Sequence, residues 1–169
     1  NAFKISSGIF PISAEVLQDS EIDINSLVGY NLGERIARKL SREFTVGTQS
    51  KITGFVSGAV VGHTSQYLDR ITYDDLVKTF FSLEESYRNS PKTAWQMHSQ
   101  TLAHLVAQLD DVKRPVFQAM SGGMQESPRM MLLGKPIIVN DWLDPLSEEV
   151  SPEDRLVYFG DFSKYYVRI

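Results

Sequence analysis

Residues 93–109 read TAWQMHSQTLAHLVAQL, and the hydrophobic period changes in the middle of them. Residues 93–98, TAWQMH, read as a buried strand. From Ser99 onward, Leu102, Leu105, Val106 and Leu109 recur at i, i+3, i+4 and i+7, the spacing of an amphipathic helix, and Ser99 is placed to cap it. A strand that feeds straight into a helix makes this a mixed fold. Its class depends on how the flanking segments alternate.

Upstream, Thr72 and Asp75 form a capping-box pair with Asp in place of the usual Glu, opening a helix with Leu76, Val77, Phe80 and Phe81 on one side. Further upstream lies the longest helical signal, residues 24–46, INSLVGYNLGERIARKLSREFTV, capped by Asp23. Leu27, Val28, Leu32, Ile36, Leu40 and Phe44 recur there at helical spacing, Glu34 precedes Arg38 by four, and Gly47 supplies the stop. Gly29 and Gly33 inside it predict a kink or the close approach of a neighbouring backbone. Before it, FKISSGIFPI reads as extended chain, and Ser13 caps a short helix, AEVLQDS.

Downstream, residues 112–130 are turn-rich and read as a long loop, LLGKPIIVND as a tight turn and a strand over Ile137 to Val139, and RLVYFGD as another strand. Gly160-Asp161 reads as a turn before a last strand containing Tyr165, Tyr166 and Val167. Helices thus come first, then strands and helices without a clean alternation, which predicts α+β rather than a doubly wound sheet.

The 169 residues fit one domain or two small ones. At 42% hydrophobic and 22% charged the composition is that of a globular protein. A net charge of −4 argues against a dominant nucleic-acid footprint, which needs a basic surface. Without cysteine there is no disulfide, thiolate metal site or cysteine nucleophile. The most apolar stretch, residues 52–62, is far short of the roughly 20 residues that span a bilayer and reads as a buried strand or glycine-rich loop.

Few motifs carry chemistry. His98 and His104 are not spaced as zinc ligands on a helix, and His63 stands apart from both. The acidic pairs Asp74-Asp75, Asp110-Asp111 and Asp141 with Asp144 each have a structural reason at a helix end or turn. An acid/base role for one of them would require burial that splits the two pKa values. Neither a Walker phosphate loop nor a GxSxG elbow is present. Arg35, Arg38, Lys39 and Arg42 share one side of the long helix, opposite Ile36, Leu40 and Phe44. That side is a solvated face or a contact for an acidic neighbour. Such an inventory leans toward binding or structure.

Five segments, in order, resemble the major capsid proteins of tailed phages, the family with the HK-ninety-seven-type fold. They are KISSGIFPISAEVLQDS, the long helix ending in FTVGTQSKITGFV, YDDLVKTFFSLEESYRNSPKTAWQMHSQTLAHLVAQLDD, LLGKPIIVND and VYFGDFSKYYV. The resemblance implies an α+β capsid fold in which residues 1–52 belong to a peripheral domain with a spine helix. Residues 53–163 would form an axial domain, and 164–169 a strand returning to the periphery. It implies an amino-terminal arm and extended loop upstream and further peripheral strands downstream, outside this sequence, so no crosslinking residue carries over.

The implied function is structural. Copies would join into pentamers and hexamers of an icosahedral head around DNA, assembled in the host bacterial cytoplasm with a scaffolding segment or protein and a portal, without cofactor, catalysis or membrane. The candidates for subunit contact are Arg35, Arg38 and Arg42 on the helix, Lys113, Arg114, Gly122 and Gly123 in the loop from Lys113 to Met131 expected near the ring axis, and Tyr165 and Tyr166 at the final edge. Two alternatives are an encapsulin-type compartment shell and a small hydrolase using Asp141 and Asp144.

Overall fold

Residues 93–97 form the strand their composition demands, because it is an inner strand of a sheet and is covered on both faces. The structure, a computed structural model, describes residues 6, 8, 9, 11, 24–48, 52–108, 130–146, 151 and 153–165. The chain divides into two compact units, Asn1–Gly58 with Ile169, and Ala59–Arg168.

In the first unit, helix α1 spans Ile24–Thr45. Gly29 and Gly33 do not interrupt it. Among the described residues a Cβ at either would meet nothing within 4 Å, so none of their backbone approaches there. Its apolar stripe is only half covered among the described residues: Val28, Leu32, Ile36, Leu40 and Phe44 are half-buried, while Leu27 and Tyr30 are exposed. Gly47 ends it with φ +81°. Two short strands come next, β1 (Gly47–Thr48) and β2 (Ile52–Thr53), paired antiparallel, then one helical turn, α2 (Phe55–Gly58). Residues 52–62 are therefore no continuous buried strand. A Cβ on Gly47 would overlap the backbone of Ile52 and Gly54, and one on Gly54 the backbone of Thr45 to Gly47, so both positions exclude side chains. Of the stretch FKISSGIFPI, the described residues Ser6, Gly8, Ile9 and Pro11 lie in no strand, and the short helix after Ser13 lies outside the described residues.

The second unit opens with a loop from Ala59 to Thr72, then helix α3 (Tyr73–Ser82) and a helical turn α4 (Glu85–Arg88). Strand β3 (Thr93–Met97) leads into helix α5 (Ser99–Ala107), and β4 (Met131–Leu132), β5 (Lys135–Val139) and β6 (Val157–Asp161) complete the sheet, with a 3₁₀ turn after them at Phe162–Lys164. The order is β4-β5-β3-β6. β3 runs parallel to β5 and antiparallel to β6, with Trp95 opposite Ile137 and Phe159. Ile71, Leu76, Trp95, Met97, Leu102, Leu105 and Leu132 form the core, with Phe80, Ile137 and Phe159 packed against it. The Phe159 ring lies 4.3 Å from the Trp95 ring, centroid to centroid, and the indole donates to the Leu132 carbonyl at 2.9 Å.

Several boundaries differ from the sequence reading. His98, not Ser99, caps α5: its Nδ1 accepts from the Gln100 amide at 3.0 Å, and the helix ends before Leu109. Phe81 is exposed on α3, its face taken by Phe80 and Arg88. β5 begins at Lys135, because the turn at Leu133 and Gly134, both with positive φ, pairs it with β4 at once. Gly160 and Asp161 lie within β6, opposite Ala94 and Thr93, rather than in a turn. The next residues, Phe162–Lys164, form a 3₁₀ turn capped by the Asp161 carboxylate, and Tyr165 lies in no strand; Tyr166 and Val167 of the expected last strand lie outside the described residues.

Candidate functional site

Among the described residues the densest polar cluster gathers on Asp75, in the first turn of α3. Its carboxylate accepts from the Thr72 amide at 2.9 Å, the Thr72 hydroxyl at 2.6 Å, the Ser65 hydroxyl at 3.1 Å and His63 Nε2 at 2.8 Å. Burial alone would raise its pKa. The hydrogen bonds from Thr72, then His63 and Ser65, outweigh that and hold it at about 2. The arrangement is no nucleophile relay, because Ser65 and His63 both bind the carboxylate, on different oxygens. It fastens the loop of residues 59–72 to the helix. The Thr72–Asp75 box was legible from spacing. His63 was not, since nine residues of irregular chain, 64–72, separate it from α3 and no periodicity links them.

The other acidic pairs are structural where described. Asp74 pairs with Lys78 one turn along α3. Asp141 accepts from the Ser99 amide at 3.1 Å, at the start of α5, and hydrogen bonding to Ser99 lowers its pKa. Asp144 is exposed. It adds to the burial that pushes the Tyr158 phenol up to about 12, with Arg155 opposing. Asp110 and Asp111 lie outside the described residues. Among the described residues no group of three or more His, Asp or Glu is placed to hold a metal, and no helix is long and apolar enough to cross a membrane.

The contact candidates fall in separate places. Arg35, Arg38 and Arg42 project from the exposed side of α1, as the spacing required. Arg38 pairs with Glu34, and Arg35 donates to the Ile9 carbonyl at 3.4 Å. Tyr165 comes after the 3₁₀ turn, 36% exposed, its amide donating to the Phe162 carbonyl at 3.3 Å. Lys113, Arg114, Gly122, Gly123 and Tyr166 lie outside the described residues.

What sequence reasoning missed is apolar surface on the second unit. At the end of the sheet where β3 starts, Tyr87 is 42% exposed. At the opposite end, Val139 and Trp142 are 48% and 43% exposed. Alternation within β5 gives no hint of this, because exposure there depends on how far its neighbours extend.

The phage capsid family matches the chain over residues 1–169. Two solved chains are similar in fold. One, from "Capsid of empty GTA particle computed with C5 symmetry", superposes with a TM-score of 0.68 at 20% identity, covering 89% of this chain and 53% of its own. The other, from "Capsid of native GTA particle computed with C5 symmetry", gives 0.68 at 19% identity with the same coverage. The chain therefore spans about half the length of the solved chains it matches. A search of curated proteins found no match.

Proposed function

The chain belongs to the phage capsid family, and from that premise we propose that it is the structural subunit of a phage head. It associates with copies of itself into pentameric and hexameric rings that tile an icosahedral shell around DNA. The observation that carries this is the family match across the whole sequence, supported by an α+β fold of the HK-ninety-seven type shared with solved capsid chains. The side chains fit a structural part: among the described residues the most buried carboxylate, Asp75, is spent on fastening a loop, and Asp141 on a helix start.

In this reading residues 1–52 serve as part of a peripheral domain with α1 as its spine, residues 53–163 as the axial domain, and 164–169 as the return toward the periphery. Arg35, Arg38 and Arg42 contact an acidic neighbour, and Tyr165 and Tyr166 meet another chain. The loop carrying Lys113, Arg114, Gly122 and Gly123 lies near the ring axis. A scaffolding segment or protein, a portal and packaged DNA are the partners in the particle, and assembly takes place in the host bacterial cytoplasm.

The test is electron microscopy of the protein at its full natural length, expressed alone and with its genomic neighbours. Rings or closed shells are expected. A protein that stays monomeric at high concentration under both conditions is not a shell subunit.

A further inference from the structure

A ring of identical copies needs two different faces on each copy, one to give and one to receive, because its contacts are head to tail. The sheet of the second unit supplies two such ends. Strand β3 fixes them, since β5 runs parallel to it and β6 antiparallel. At the end where β3 starts, the Thr93 amide donates to the Ser90 carbonyl at 3.3 Å and Lys135 Nζ to the same carbonyl at 2.9 Å. Segment 87–92 and the start of β5 therefore meet there, beside Asp161 at the end of β6. At the other end Met97 pairs with Val139 and Val157. The Asn140 amide donates to the Met97 carbonyl at 2.9 Å, which sets the turn of residues 140–143 beside the start of β6.

The two ends differ in charge and share exposed apolar surface. The starting end carries Arg88, Lys92, Lys135 and Lys164 against Glu84, Glu85 and Asp161, with Tyr87 and Tyr165 exposed between them. The far end carries Asp141, Asp144, Glu153 and Asp154 against Arg155 and His98, whose Nε2 lies 3.9 Å from Asp141, with Val139 and Trp142 exposed. Among the described residues cations outnumber carboxylates at one end, and carboxylates outnumber cations at the other. An end that is apolar and net positive complements one that is apolar and net negative, and both lie on every copy.

We propose that the occupant of each end is a second copy of this chain: the Tyr87–Lys92 end of one sheet docks on the Trp142–Asp144 end of the next. This rests on the shell reading above and names the surfaces through which it works. Trp142 and Tyr87 supply the apolar centre, and Lys92 and Lys164 meet Asp144 and Glu153 at the rim.

Charge reversal in the full-length protein tests it. Lys92→Glu with Lys164→Glu makes both ends negative, and Asp144→Lys with Glu153→Lys makes both positive. All four residues are exposed. Each pair alone is expected to reduce the yield of rings by about tenfold or more, because like charges then face each other. Mixing the two proteins restores association, with a distinctive limit: copies must alternate, so six-membered rings close and five-membered rings do not. Reversal of all four in one chain restores both.

Circular dichroism verifies that each variant is folded. Should a reversal misfold, Lys92→Gln and Asp144→Asn replace it, and association is then expected to lose part of its salt dependence. Folded variants that assemble like the unaltered protein, or that fail without rescue on mixing, overturn the docking, as do neutral variants with an unchanged salt response. An unaltered protein that forms no rings overturns the shell reading itself, a result that the variants cannot mimic.

Discussion

Asp75 shows how one carboxylate can hold a loop in place and at what pH it ceases to. Its pKa falls from 3.8 to about 2 on folding, so the folded state favours the charged form. A depressed pKa contributes stability that is complete above the unfolded value and disappears as the pH falls toward the folded one. Here that window runs from about pH 4 down to about 2, and the contribution is on the order of 2 kcal/mol. The urea midpoint should therefore drop across this window in the native protein, while Asp75→Asn, already weaker at pH 7, should respond much less. Equal pH slopes in both proteins would show that some other group dominates. Gly47 is the second decisive residue. Its φ of +81° and the backbone against it leave no room for a methyl group, so Gly47→Ala should cost more than about 1 kcal/mol in the same titration.

Among the elements, α1 offers the opposite case. Gly29 and Gly33 sit inside a regular helix with open space where a Cβ would go. Replacing each with alanine should stabilise the protein by up to about 1 kcal/mol, read as a higher thermal midpoint, because alanine loses less backbone freedom on folding. A loss of stability there would mean that a partner backbone needs the space. In β3, Trp95 is fully buried, so Trp95→Ala should cost about 3–5 kcal/mol. Trp95→Phe should cost less, mainly through the Leu132 carbonyl that loses its donor.

These elements differ in how plainly the sequence announced them. α1, α3 and β3 carry their signal locally, in a period or in a cap such as Thr72–Asp75. The pairing of β3 with β5 is recorded nowhere nearby, since the partners lie about forty residues apart and parallel register depends on what covers both. Gly160-Asp161 misled for a related reason: glycine and aspartate are punctuation in isolated chain, yet here they continue β6 opposite Ala94 and Thr93. The candidate surface was the least legible part. Runs of cations such as Arg35 to Arg42 stand out in a sequence, whereas Tyr87 and Trp142 acquire meaning only when the sheet places them at opposite ends.

For the whole molecule, association and stability are linked by mass action. A partner that binds only the folded chain stabilises it, by about 2.7 kcal/mol when its concentration is a hundred times the dissociation constant. For a chain of this length each kcal/mol raises the thermal midpoint by roughly 2–4 °C. If the ends of the sheet receive second copies, the midpoint of the full-length protein should climb with its own concentration, by about 5–10 °C between dilute and strongly associating conditions. Trp142→Glu puts a charge in the apolar centre of the proposed contact while touching an exposed side chain, so it should keep the dilute midpoint and flatten the climb. Raising the salt should weaken the climb in the unaltered protein without removing it, since ions screen the rim charges but not the buried apolar area. Differential scanning calorimetry over a concentration series reads all three. A midpoint that rises equally in the native and Trp142→Glu proteins would move the contact to another face of the molecule.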